Sequence, residues 1–435
     1  MFFPRGGSAH VARALARELP AHGCEVTIVS GSLPGRGDAL RFYDGLDVHA
    51  VDFARGDAPM HPSYEDRPDA PDPVFARVGD DEYEEHVEAW GRALRQAGAD
   101  DADVLHLHHL TPVHEAAARV APDVPVVGHL HGTELLMLER IADGAPASWS
   151  HADAWARRMR RWAHRCERVL LLSRSQIERA ERLLGLERSR CVISPNGFDP
   201  DRFAPRRVDR AALWQGALVD DPHGWRPGED EGSIAYEPRD AARLADLPVL
   251  LSVGRFTEVK RTGLLIRAFA RARATLPLAA ALVIVGGYPG EWEGEHPYDA
   301  IRASGAPDVF LAGWHEHDEL PAFFGAADAV VLASVREQFG SVLVEGMACG
   351  LPAIAVDRYG PAEIVRPGHT GWLVEPDDER GLAGALAQAV NLPAERLRRG
   401  AGARRDVLAR FAWPAIADRL AGLMAEAAAT RSRTG

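Results

Sequence analysis

Residues 329–352 read Ala329-Val330-Val331-Leu332-Ala333-Ser334-Val335-Arg336-Glu337-Gln338-Phe339-Gly340-Ser341-Val342-Leu343-Val344-Glu345-Gly346-Met347-Ala348-Cys349-Gly350-Leu351-Pro352. The opening run is short, continuous and apolar, the pattern of a strand buried on both faces of a parallel sheet. A glycine-containing loop follows, and then an apolar helix that stops at Gly350 and Pro352. Backbone N–H groups at Gly340, Ser341 and Val342 would point at an anion, with the helix dipole adding to their field. Glu337 lies on the loop, and Glu345 about one and a half turns into the helix. A carboxylate on the helix can accept two hydrogen bonds from a ribose diol, and one on the loop can contact a second sugar. Glu345 could instead be a surface helix residue, but Val344 and Met347 beside it indicate a half-buried helix.

Some eighty residues earlier the same grammar recurs. Leu247-Pro248-Val249-Leu250-Leu251 reads as a buried strand and Ser252-Val253-Gly254-Arg255-Phe256-Thr257-Glu258-Val259-Lys260-Arg261 as the turn into a helix. Lys260 is the only lysine among 50 basic residues. In a composition where arginine has displaced lysine, the survivor marks a place where a compact, mobile ammonium is wanted rather than a planar guanidinium. Arg255 and Lys260 at one strand end form a natural clamp for a diphosphate.

Further strand-like runs alternate with helical segments along the whole chain, which predicts parallel sheets with crossover helices. They are Glu25 to Ser30, Val104 to Leu107, Val124 to Gly128, Arg168 to Leu172 and Cys191 to Ile193 in the first half. In the second they are Ala281 to Val285, Val309 to Leu311, Ala353 to Val356 and Gly371 to Val374. A helix is expected over about Ala9 to His22, with Val11, Leu15 and Leu19 on one face. At 435 residues the chain is too long for one core and suits two α/β domains. Residues 206–247 are polar and turn-rich, with no period, and read as a surface insertion at a hinge. Trp155, Met159 and Trp162, among Arg157, Arg158, Arg160, Arg161 and Arg165, predict a helix packing its aromatics inward with a solvated arginine face. The Pro-rich stretch 56–81, with His61, Tyr64, Glu65 and Asp66, is a candidate acceptor-binding loop.

The formal charge of −13 argues against nucleic acid or an anionic membrane surface as the main partner. Cys24, Cys166, Cys191 and Cys349 are scattered with no close pair, which reads as reduced thiols in a cytoplasmic protein. The longest apolar run is far too short to span a bilayer. His106, His108, His109, His114, His129 and His131 cluster, and strand alternation puts His106 with His108, and His129 with His131, on common faces. With no cysteine nearby, the reading is that no metal is bound.

Glu337-x7-Glu345 with Phe339-Gly340, and Gly254-Arg255 with Lys260, resemble the donor site of the retaining glycosyltransferases of family 4. Gly6-Gly7 is similar to that family's diglycine loop, His131-Gly132-Thr133 to its histidine loop, and Pro195-Asn196-Gly197-Phe198-Asp199 to the close of its first domain. The resemblance implies a GT-B fold: two Rossmann-like α/β domains whose parallel sheets face across a cleft. It implies an N-terminal acceptor-binding domain at 1–205, the insertion at 206–247, and a nucleotide-sugar-binding domain at 248–412. A C-terminal helix at 413–435 would return toward the first domain.

It implies a metal-independent transferase with no cofactor, moving a sugar from a nucleotide-diphosphate donor, in the first place a UDP-sugar, to a small polar acceptor. Arg255 and Lys260 would neutralise the departing diphosphate, and Glu345 would hold the ribose. Glu337 with Phe339, Gly340, Ser341 and Val342 would hold the donor sugar, and His131 would contact it near the reacting carbon. Gly6 and Gly7 would let the backbone approach the phosphate. Trp314 would lie near the base. A sugar-nucleotide epimerase of the same architecture and a non-catalytic remnant are the rival readings. The family's first strand precedes its diglycine loop, whereas only Met1-Phe2-Phe3-Pro4-Arg5 precede Gly6. The expectation is a first domain that lacks this central strand and folds poorly as written, either a start assigned too late or a truncated product.

Overall fold

The computed structural model describes residues 4, 7–64, 72–274 and 279–434, which form two compact units, 1–196 with 413–435 and 197–412. In the first unit the helix Gly7–Glu18 passes into a 3-10 turn, Leu19–His22, which Gly23 ends at φ 81°. Strands β1 (Thr27–Ser32) and β2 (Asp47–Asp52) pair in parallel as a two-stranded sheet. Strands β3 (Leu105–His108), β4 (Val126–His129), β5 (Arg168–Leu171) and β6 (Cys191–Ile193) make a separate parallel sheet in that order. Strand β2 escaped the sequence reading because only Val51 of its residues is buried, so no apolar run announces it.

Among the described residues β1 and β3 each have a single strand neighbour. A cavity of about 900 Å³ is lined by both strands, with Leu15, Ile28, Val104, His106, His108 and Met424 on its walls. Met1 to Phe3, Arg5 and Gly6, where the first strand was expected to be lacking, lie outside the described residues. The helix Trp413–Thr434 belongs to this unit: Ile416, Leu420 and Met424 pack with Val11, Leu15, Leu19, Val127 and Leu170.

The helix Ala152–Arg165 buries Trp155, Met159 and Trp162 completely, and the Trp155 indole N–H donates to the Val78 carbonyl at 2.9 Å. Its arginine face is less solvated than expected. Arg158 is buried, lies 3.8 Å over the Tyr83 ring and pairs with Asp80 at 2.5 Å. His61 and Tyr64 are likewise buried core groups, with the Tyr64 hydroxyl donating to the Leu110 carbonyl at 2.7 Å, so they offer no free acceptor-binding surface. Glu65 and Asp66 lie outside the described residues.

The second unit holds one six-stranded parallel sheet of order β12-β11-β10-β7-β8-β9. Its strands are β7 (Val249–Val253), β8 (Ala281–Val285), β9 (Val309–Gly313), β10 (Ala329–Leu332), β11 (Ala353–Val356) and β12 (Gly371–Val374). Strands β8 to β11 are buried throughout, which is why each is a continuous apolar run. Residues 206–247 are not a detached insertion, for they are built into this unit. The helices Arg210–Gln215 and Pro238–Asp246 flank a strap whose Trp214 and Trp225 are fully buried. The strap covers the edge strand β9: the Leu311 amide donates to the Tyr236 hydroxyl at 2.8 Å, and His223 bridges to Gly313. Trp214 in a six-residue helix and Trp225 on irregular backbone leave too short a pattern to read, hence the misreading as a surface loop.

Candidate active site

The strand order places the two motif-bearing loops side by side. Strand order reverses between the parallel neighbours β7 and β10, which are adjacent at the centre of the sheet, with Leu250 opposite Ala329 and Leu251 opposite Val330. Their carboxyl ends therefore form the topological switch point, where ligands of open parallel sheets bind. The loops interlock through backbone: the Val335 amide donates to the Val259 carbonyl at 3.0 Å, and the Ser334 hydroxyl donates to the same oxygen at 3.2 Å.

On this base Lys260 folds back over Gly254, its Cε 3.7 Å from the position a Cβ would take there, and its ammonium meets Glu337 Oε2 at 2.5 Å. Both side chains are about one-fifth exposed, at 23% and 20%. The structure thus joins two groups that the sequence assigned to different parts of a donor. Arg255 is exposed, and its guanidinium has no ion pair among the described residues.

The helix Ser341–Ala348 starts from Gly340 at φ 107°, a left-handed geometry that glycine adopts without strain. The first amides of a helix have no partner within it, and those of Gly340, Ser341 and Val342 find no acceptor among the described residues. Phe339 is buried, edge-on to Phe411 at 5.6 Å, and anchors the loop from beneath. The next segment presses on it closely. The Gly360 amide donates to the Glu337 carbonyl at 3.3 Å, and a Cβ on Gly360 would sit 2.2 Å from the Phe339 carbonyl oxygen. Gly360→Ala is therefore expected to push this loop outward and to destabilise the second unit by about 1–3 kcal/mol in a denaturant titration. An unchanged midpoint would mean that the loop gives way freely.

Glu345 is buried, and its Oε1 lies 2.9 Å from His317 Nε2. His317 also packs against the Phe203 ring at 5.2 Å. The sequence reading missed His317, which lies between β9 and β10 in a charged stretch with no motif around it; only the fold brings it to Glu345.

In the first unit, Gly7 opens the helix Gly7–Glu18. His131 lies just beyond β4, before Gly132 at φ 93° and the helix Thr133–Ala142. Its Nε2 is 2.9 Å from His108 Nδ1, and its backbone amide donates to the buried Glu134 carboxylate at 3.2 Å. Glu134 also lies 2.5 Å from His109 Nδ1, so one buried side chain ties the histidine loop to the segment that follows β3. Burial holds the His131 imidazole well below the usual histidine range. His86, His106 and His114 are pushed down to about 4 by the same cause.

These shifts have a definite sign. Below pH 6.5 the unfolded chain takes up protons that the folded unit refuses, so stability is flat above that pH and falls as pH drops toward 4. The slope is about 1.4 kcal/mol per pH unit for each such histidine. The first unit is expected to lose about 10 °C or more of melting temperature between pH 7 and pH 5.5, read by circular dichroism. A melting temperature independent of pH over that range would contradict it.

The family model for Glycosyltransferase Family 4 matches residues 5–202, and that for Glycosyl transferases group 1 matches residues 237–406. The D-inositol 3-phosphate glycosyltransferase of Stackebrandtia nassauensis is 30% identical over 345 residues, covering 76% of this chain and 69% of that protein. The chain belongs to the family 4 glycosyltransferases. As such it shares its fold with solved structures along almost its whole length. Sucrose-phosphate synthase from Thermosynechococcus elongatus superposes with a TM-score of 0.70 at 21% identity, covering 98% of this chain and 94% of that one. HepE from Anabaena, solved in complex with UDP and glucose, gives 0.66 at 19% identity, over 97% and 96%. The GT-B fold follows, with the second unit carrying the Glu337 loop and the helix of Glu345 at its switch point. Among the described residues no helix is long and apolar enough to cross a membrane.

Proposed function

We propose that this family 4 glycosyltransferase transfers a sugar, with retention, from a nucleotide-diphosphate donor to a hydroxyl of a small polar acceptor, with no metal at the diphosphate. The acceptor oxygen bonds to the anomeric carbon on the face from which the diphosphate leaves. The carbon–oxygen bond to the phosphate breaks with its electron pair going to the phosphate oxygen, and that oxygen takes the acceptor's proton. Arg255, Lys260 and the amides of Gly340, Ser341 and Val342 stabilise the charge that develops there. Glu345 accepts the ribose hydroxyls, Glu337 with Phe339 holds the donor sugar, and His131 contacts it as a neutral imidazole. Gly7, with Gly6 before it, keeps backbone close to the phosphate, and Trp314, which is 39% exposed, is the stacking candidate for the base.

The observation that carries this reading is the meeting of Lys260 with Glu337 at the start of a helix whose first amides are unpartnered. Two cations, Arg255 and Lys260, beside helix amides that find no acceptor among the described residues suit a diphosphate that brings no metal of its own. The choice of a UDP-sugar draws support from HepE, solved with UDP. The small polar acceptor draws it from the relative named for D-inositol 3-phosphate. The four free cysteines fit a reducing compartment, the cytoplasm. Calorimetric titration of UDP, GDP, ADP and dTDP into the chain in EDTA tests the proposal. One binder, UDP first, is expected at one equivalent; a folded chain that binds none of the four defeats it.

A further inference from the structure

We propose that His106, His108 and His129 bind one divalent transition-metal ion of the zinc–cobalt–nickel class in the first unit. The sequence argued against a metal here because no cysteine lies near. The strand register changes the argument. His106 and His108 lie on the same side of β3, and His129 ends β4 directly opposite His108. One ring nitrogen from each of the three comes within 4.8 Å of the others.

The closest pair, His106 Nε2 and His129 Nδ1, are 3.2 Å apart. Two imidazole nitrogens on a tetrahedral zinc ion stand about 3.3 Å apart, from bonds of about 2.05 Å. The spacing therefore already matches two ligands of one ion. His129 stacks on both other rings, with centroids 5.3 Å from His106 and 4.9 Å from His108, while His106 and His108 lie tilted at 4.4 Å.

The hydrogen bonding is as telling as the distances. Among the described residues these imidazoles pair only with one another and with His131: His106 with His129, and His108 with His131. No carboxylate or carbonyl takes up their remaining nitrogens, and His129 Nε2 is buried with no partner. With His129 bound through the Nδ1 that faces His106, its Nε2 stays unpartnered, and the gain comes instead at the acceptor nitrogens of the three rings, whose hydrogen-bond partners among the described residues are other histidines. An all-nitrogen set from neutral rings suits zinc, cobalt or nickel rather than magnesium or calcium.

His131 would supply the outer partner that orients His108. The buried Glu134, bonded to His109 and to the His131 amide, places a carboxylate next to this layer of rings. An entry path exists as well, since His106 and His108 line the cavity of about 900 Å³ beside β3. The site lies in a different unit from Lys260, Glu337 and Glu345, and through His108 it adjoins His131.

The test uses the full chain stripped with EDTA and titrated with Co²⁺ while the visible d–d absorption is followed. Saturation at one equivalent is expected, with Zn²⁺ displacing the cobalt. His106→Gln and His129→Gln should each weaken Co²⁺ binding about 100-fold or more, whereas His369→Gln, an exposed histidine in the second unit, should leave it unchanged. Near-ultraviolet circular dichroism reports whether each variant folds; should His129→Gln unfold, His106→Gln, whose ring lies toward the cavity, carries the comparison. No Co²⁺ spectrum from the unaltered chain, or binding undiminished in the folded variants, would overturn the proposal and leave the rings as a stack of neutral imidazoles.

Discussion

Lys260→Ala is expected to lower turnover by about 10²–10³-fold with the second unit still folded, the usual cost of deleting one preorganised group aimed at developing charge. The geometry explains why the loss should fall on chemistry rather than on stability. The lysine contributes no buried apolar side chain to the core, and among the described residues its ammonium meets only Glu337. A partly exposed ion pair of this kind contributes at most about 1 kcal/mol to folding. Lys260→Arg should rescue little, because the side chain runs within 3.7 Å of the Gly254 Cβ position, where a planar fork fits poorly. Turnover at the level of the unaltered chain, with melting temperature unchanged, would remove the diphosphate clamp from the mechanism. Glu337→Gln, which frees the ammonium, separates loss of the cation from loss of the pair.

Glu345→Ala should weaken nucleoside diphosphate binding by roughly 10- to 100-fold, the value of two hydrogen bonds to a charged acceptor lost together. Glu345 is held by the helix Ser341–Ala348 and braced by His317 at 2.9 Å, so its carboxylate is fixed before any ligand arrives. Calorimetry with the nucleoside diphosphate, and with the free base as a control, checks the assignment. Equal losses for both would point to a collapsed pocket, and undiminished affinity would end the ribose role. His317→Ala should produce a smaller loss of the same kind, since it orients Glu345 without touching the ligand.

Much of this arrangement was legible in residue order. The buried strands of the second unit announce themselves as apolar runs because both their faces are covered, and the ends of β7 and β10 carry glycine with charged residues where a ligand is held. Strand β2 and the strap over β9 were not legible. The first is half-buried, with Val51 its one fully buried residue, and the second is anchored by Trp214 in a six-residue helix and by Trp225 on irregular backbone, so neither leaves a readable period. His61 and Tyr64 look like loop residues in sequence and are core residues in space, because the chain around Ser63 hydrogen-bonds to Pro73 and Phe75.

The sequence by itself determined the α/β class and the family and singled out the residues proposed to meet a donor, since each rests on local chemistry: apolar runs, loop glycines, and charges at fixed spacing along a helix. Only the tertiary structure decided which of these residues face one another. The reversal of strand order brings Lys260 to Glu337 across 77 residues, the loop before the helix Leu320–Ala326 sets His317 against Glu345, and strand register stacks His106, His108 and His129. Pairings of that kind are fixed by topology and register, which depend on the packing of whole sheets and leave no mark on the residues between.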